Sequence, residues 1–224
     1  MRTTDRDLAP LDFAGVSAGY GSGPIVVEDV TARFPPVGVV RLVGSNGSGK
    51  STLVELASGY LRPCTGSVTV FGVPAARSDA RDRRRVVRSR PALFPAMTVR
   101  DHLVLASMTT GTDRAPVLAR ADRYGLGPWL DADAGTLSTG GIRKLWVVMC
   151  TTGAFDLVLL DEPFIGLDVE TTAVLATELT GWAQSRLVVL VTHAMVPGVP
   201  IGAHVSVTAG RVDTPVPESI GAPR

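Results

Sequence analysis

Gly44-Ser45-Asn46-Gly47-Ser48-Gly49-Lys50-Ser51 places glycines, a lysine and a hydroxyl at the spacing G-x-x-x-x-G-K-[ST]. Glycines at 44, 47 and 49 let a backbone curl until its N–H groups converge on phosphate oxygens. At this spacing Lys50 reaches the β- and γ-phosphates of a nucleotide, and the Ser51 hydroxyl is placed to coordinate Mg²⁺. The cradle runs from Gly44 to Thr52. It specifies a nucleoside triphosphate and leaves kinase, GTPase and ATPase chemistry open.

A second constellation closes an apolar run. Residues 157–160 are Leu-Val-Leu-Leu, followed by Asp161-Glu162-Pro163. Asp161 is placed to hold the metal through water, and Glu162 to orient or deprotonate the attacking water. His193 follows another apolar run, 187–191. Ligands bind beyond the carboxyl ends of strands in open α/β sheets, which puts all three side chains on the phosphate side.

These groups need a sheet to hold them. Short β-branched runs at 39–43, 68–71, 157–160, 187–191 and 205–208 are mostly apolar, as in strands covered on both faces. A helical pattern covers 51–61, with Leu53, Leu56, Ala57 and Tyr60 at helical spacing. Strands alternating with helices predict an α/β fold with a mostly parallel sheet. Residues 77–148 read as a helical lobe inserted into that core, with periodic stretches at 99–108 and 115–124; the core is then 1–76 plus 149–224.

Bulk properties narrow the setting. The 224 residues suit one sizeable domain, 45% hydrophobic and 19% charged, with a net charge of +1 that argues against a dedicated nucleic-acid binder. Cys64 and Cys150 are far apart without metal-ligand spacing, and read as reduced thiols of a cytosolic protein. The polar N-terminus lacks the apolar run of a secretory signal. The longest apolar stretch, 145–160, contains Asp156 and is short of the ~20 residues a membrane span needs.

In this order the motifs resemble the ABC-type ATPase family, a branch of the P-loop NTPases, over nearly the whole chain. Leu137-Ser138-Thr139-Gly140-Gly141 is similar to that family's signature segment, Gly166-Leu167-Asp168 to its D-loop, and His193 to its switch histidine. Tyr20, in Gly19-Tyr20-Gly21, matches the aromatic that stacks on adenine there. The resemblance implies N-terminal antiparallel strands and a late hairpin at 205–212. It also implies Mg-ATP as ligand and a homo- or heterodimer in which Ser138 and Gly140 meet the nucleotide of the opposite subunit. The chain would be the ATP-hydrolysing subunit of a transporter, peripheral to the cytoplasmic face of a membrane and bound to a membrane-spanning subunit, with export favoured over import. The alternatives are a non-transport ABC-type ATPase or a weakly hydrolysing regulator. His102 and His204 read as structural.

Two positions depart from the family. Ser89 stands where a metal-contacting glutamine is usual, and Gly141 where the signature has Gln or Met; the two readings are slower turnover with dimerisation retained, and a subgroup that tolerates both changes. Seven arginines, at 77, 81, 83, 84, 85, 88 and 90, read first as a solvated basic face and second as a contact to a membrane subunit or anionic head groups.

Overall fold

The computed structural model describes residues 8–193, 196–213 and 215–217. The first seven residues and the end of the Pro- and Gly-rich tail, 218–224, lie outside the described residues.

The chain opens with an antiparallel layer. Strands β1 (Asp12–Gly19), β2 (Ile25–Arg33), β4 (Thr65–Val70) and β5 (Val73–Pro74) form a sheet in the order β2-β1-β4-β5. The second sheet contains β3 (Gly38–Val43), β6 (Arg84–Val87), β7 (Leu157–Asp161), β8 (Leu187–Val191), β9 (Ile201–Thr208) and β10 (Arg211–Val212) in the order β10-β9-β3-β8-β7-β6. Its pairs from β9 through β6 are parallel; β10 returns antiparallel along β9, as does the short β11 (Val216–Pro217).

The period of two along the central strands explains their unbroken apolar runs. Leu157 and Leu159 of β7 pack into one core with Leu187, Val189 and Val191 of β8. Val158 and Leu160, with Val188 and Leu190, pack into a second core on the other face. Helix α1 (Lys50–Ala57) and the antiparallel sheet cover the first face. The second is covered by α3 (Val99–Thr110), α4 (Arg114–Arg123), α5 (Thr139–Cys150) and α6 (Val169–Ala183). α2 (Ser78–Asp82) precedes β6.

Two expectations need correction. Residues 84–87 were assigned to the helical lobe, yet Arg84 to Val87 pair in register with Leu157 to Leu160. The arginines conceal an edge strand: Arg84 is 4% exposed and donates to the Ser58 carbonyl, so its charge faces the protein, not water. The helix expected over 51–61 ends at Ala57, and Tyr60 is 78% exposed instead of facing the core. His102 has partners: its Nδ1 lies 2.8 Å from the Thr98 carbonyl, and its Nε2 accepts from the Phe94 N–H at 3.1 Å. That keeps it structural, since both ring nitrogens are engaged. Cys64 and Cys150 are unpaired, and burial pushes the Cys150 thiol up to about 12. Among the described residues no helix is long and apolar enough to cross a membrane.

Candidate nucleotide site

β3 delivers the chain into the loop, and α1 carries it away. A side chain at Gly44 is excluded, because a Cβ there would lie 2.2 Å from the Val207 carbonyl oxygen and 2.7 Å from Ser48 Oγ. The helix begins directly after Gly49, whose φ of 109° only glycine adopts without strain. Lys50 is 7% exposed, and its Nζ donates to the carbonyls of Gly44 and Ser45 at 2.8 Å each. It therefore stitches the loop into its curl. Ser48 Oγ is buried with no hydrogen-bond partner. An orphaned hydroxyl in a loop too tight for a Cβ fits an oxygen-rich anion that brings its own acceptors.

The carboxyl ends of β7 and β8 supply the facing wall. A cavity of about 380 Å³ is lined by Asn46, Gly47, Gly49, Lys50, Ser51 and Thr52 on one side and by Ser89, Asp161, Glu162 and His193 on the other. Burial raises the Asp161 carboxyl above its ordinary value, while the hydroxyls of Ser51 and Ser89 hydrogen-bond to the charged form and oppose the rise. One carboxylate among hydroxyls suits a hard cation that takes its other ligands from phosphate and water. Among the described residues no three His, Cys, Asp or Glu side chains are placed to hold a metal ion together.

Glu162 adopts a φ of 51°. A glutamate in the left-handed region is strained by about 1–3 kcal/mol, a cost tolerated where the surroundings fix the residue. The fixing contact is its N–H, which donates to the Val191 carbonyl at 2.9 Å. Burial raises its pKa, and His193 opposes this with Nε2 3.4 Å from Oε1. A carboxylate raised above its ordinary pKa by burial, beside an exposed imidazole, is equipped for general-base work. Tyr20 reaches this site from the antiparallel sheet; its hydroxyl is 3.3 Å from the Thr52 hydroxyl and its ring is half exposed.

Ser138 and Gly140 are not brought to the phosphate loop of their own chain; Ser138 lines a separate 130 Å³ notch with Trp129, Gly141 and Lys144. Ser138 caps α5 by accepting from the Gly141 N–H at 3.1 Å. A Cβ on Gly140 would lie 2.7 Å from the Gly166 carbonyl, so the turn at Gly166 closes directly onto the first turn of α5. Lys144 pairs with Asp168 at 2.5 Å, and Asp168 caps α6 by accepting from the Thr171 N–H. The lysine and the cap hold the Asp168 carboxyl well below its ordinary value. Replacing Ser138 with Ala should cost about 1 kcal/mol of stability through the lost cap, read as a lowered melting temperature. An unchanged melting temperature would show that the cap contributes nothing.

Sequence reasoning missed Arg41. Its guanidinium donates to the Thr192 carbonyl at 3.0 and 3.3 Å and to the His193 carbonyl at 3.4 Å, anchoring the turn that carries His193. The available signal was an arginine inside the otherwise apolar run of β3.

A glycine-rich loop between β3 and α1, with paired acids ending β7, a parallel strand separated from β3 by β8, defines a P-loop NTPase. Comparison with known proteins narrows the class. Residues 27–165, more than half of the chain, match the ABC transporter family. The chain is 33% identical over 204 residues to the mycobactin import ATP-binding/permease protein IrtB of Mycolicibacterium smegmatis, covering 85% of this chain. It is 31% identical to the Nod factor export ATP-binding protein I of Burkholderia pseudomallei over 84% of its length. It spans 35% and 64% of those two relatives. The biotin transport ATP-binding protein BioM of Rhodobacter capsulatus is 35% identical, with 76% of this chain and 75% of the relative aligned. A solved ATP-binding subunit of an ABC transporter superposes with a TM-score of 0.83 at 27% identity, covering 92% of this chain and 89% of that one. The chain belongs to the ABC transporter family, as an ATP-binding member.

Proposed function

We propose that this chain hydrolyses Mg-ATP and powers an ABC transporter. The observation that carries the reading is the convergence of Lys50, Ser51, Asp161, Glu162 and His193 on one cavity at the carboxyl ends of parallel strands. Lys50 exchanges its carbonyl partners for the β- and γ-phosphates, and the loop N–H groups fix the phosphate chain. Tyr20 offers a ring to the adenine. Mg²⁺, held by Ser51 and through water by Asp161, would neutralise charge developing on the phosphates. Glu162 accepts a proton from the attacking water, and His193 donates toward the γ-phosphate. The test is steady-state phosphate release by the purified chain. Release that saturates in ATP and requires Mg²⁺ supports the reading; none above background removes it.

Ser138 and Gly140 lie off this cavity, which supports a head-to-tail dimer in which they meet the nucleotide of a second ATPase subunit, identical or related. The γ-phosphates then draw donors from both chains, and hydrolysis releases the pair to move a membrane-spanning partner between two states. Relatives named for import and for export both match this chain, so the names support transport without a direction.

The surface for that partner is a larger cavity of about 880 Å³, away from the phosphate loop. Its lining includes Tyr60, Arg62, Arg81, Arg84, Arg85 and Arg88. Burial is the first cause that lowers the Arg84 pKa to about 10, followed by Arg81 and Arg88. Such like-charge crowding favours an anionic partner surface. Because Arg84 is buried, the informative substitutions are at exposed Arg62 and Arg81. Arg62→Glu with Arg81→Glu should reduce the membrane-bound fraction in low salt, measured by sedimentation of native membranes. Undiminished binding would remove this surface from the proposal.

A further inference from the structure

Segment 88–89 leaves the end of β6 and belongs to no helix or strand, yet Ser89 lines the nucleotide cavity. Its backbone is held from α5. Arg143 Nη2 donates to the Ser89 carbonyl at 2.7 Å, Arg143 Nη1 to the Arg88 carbonyl at 3.3 Å, and Trp146 Nε1 to the same Arg88 carbonyl at 3.0 Å. On the opposite side the Arg88 guanidinium grips Glu55 of α1 with two bonds, of 2.7 and 3.0 Å. Arg143 is 7% exposed, so its guanidinium meets these carbonyls inside the protein. Burial disfavours its charge, and the fields of Asp161 and Glu162 support it.

We propose that Arg143 is a positioning residue for the metal side of the site: it fixes the Ser89 backbone so that this short side chain presents its hydroxyl to Asp161. Serine is too short to reach the metal region from a loosely held loop, so the precision comes from the guanidinium behind it. A fork of two donors suits two adjacent carbonyls as a lysine cannot. The same arginine lies on the first turns of α5, whose cap is Ser138. A shift of α5 when Ser138 meets a second subunit's nucleotide therefore reaches Ser89 through one side chain. The proposal rests on the Mg-ATP reading of the cavity.

The test is a double-mutant cycle between Arg143→Met and Ser89→Ala, with Arg143→Lys as the conservative variant. Two quantities are read: the Mg²⁺ concentration for half-maximal binding of a fluorescent ATP analogue, which needs no turnover, and kcat against KM. Arg143→Met should raise the Mg²⁺ midpoint about tenfold and lower kcat by a similar factor, with the ATP KM changed less than about twofold. In the Ser89→Ala background the same change should have almost no further effect, and Arg143→Lys should fall between. Matched melting curves identify the variants that remain folded, and the lysine variant keeps the test available if methionine does not. Additive effects of the two substitutions, or an unchanged Mg²⁺ midpoint, would overturn the proposal. A wild-type chain that binds Mg-ATP without hydrolysing it would count against catalysis while leaving the midpoint test intact.

Discussion

Glu162→Gln should lower phosphate release about a hundredfold or more while ATP affinity stays within a few-fold of the parent. The expectation follows from what the amide keeps and what it loses. It keeps the size and hydrogen-bonding shape of the carboxylate, and the backbone bond from residue 162 to Val191 is untouched. It loses the basic oxygen, now buried and 3.4 Å from His193, that accepts a proton from water. General-base catalysis contributes about 10²–10⁴ in rate, so the loss should appear in kcat. A variant as fast as the parent would mean that water is activated elsewhere and that the strained backbone at Glu162 serves no catalytic end.

Lys50→Ala should abolish measurable ATP binding, weakening it about a hundredfold or more. Two effects act together. The ammonium is the only positive side chain lining the phosphate cavity among the described residues, and each charge-assisted bond to phosphate contributes about 1.5–3 kcal/mol. Its removal also leaves the Gly44 and Ser45 carbonyls without the donor that holds the loop curled. Equilibrium binding of a fluorescent ATP analogue reads both at once. The alanine protein should melt close to the parent, because the two bonds lost are confined to the loop between β3 and α1. Retained affinity would place the triphosphate somewhere other than this loop.

The parts of the molecule that chemistry constrains locally were legible in the sequence. The loop 44–52 has fixed residue types between a strand and a helix, and β7 and β8 are buried on both faces, so their apolar runs are unbroken. The signature segment was legible as a helix cap, because a serine three residues ahead of a free N–H is a local arrangement. The edge strand β6 was not. Arg84 and Arg85 read as solvated, whereas Arg84 bonds to the Ser58 carbonyl and Arg85 to the Thr152 carbonyl at 2.8 Å. Backbone carbonyls from distant segments accept those charges, and no local pattern announces them. Arg41 and Arg143 escaped for the same reason, since their acceptors lie 151 and 54 residues away. His102 read correctly as structural, but its role in capping the Phe94 N–H depends on a turn that only the fold creates.

In the proposed dimer a nucleotide is shared between two ATPase subunits, one giving Lys50 and Glu162 and the other Ser138. Sedimentation velocity of the Glu162→Gln chain tests this most directly, run with Mg-ATP and again with Mg-ADP at the same protein concentration. A species of twice the chain mass is expected with Mg-ATP and a single-chain species with Mg-ADP. A single-chain species under both conditions, with ATP binding verified in the same sample, would contradict the proposed dimer.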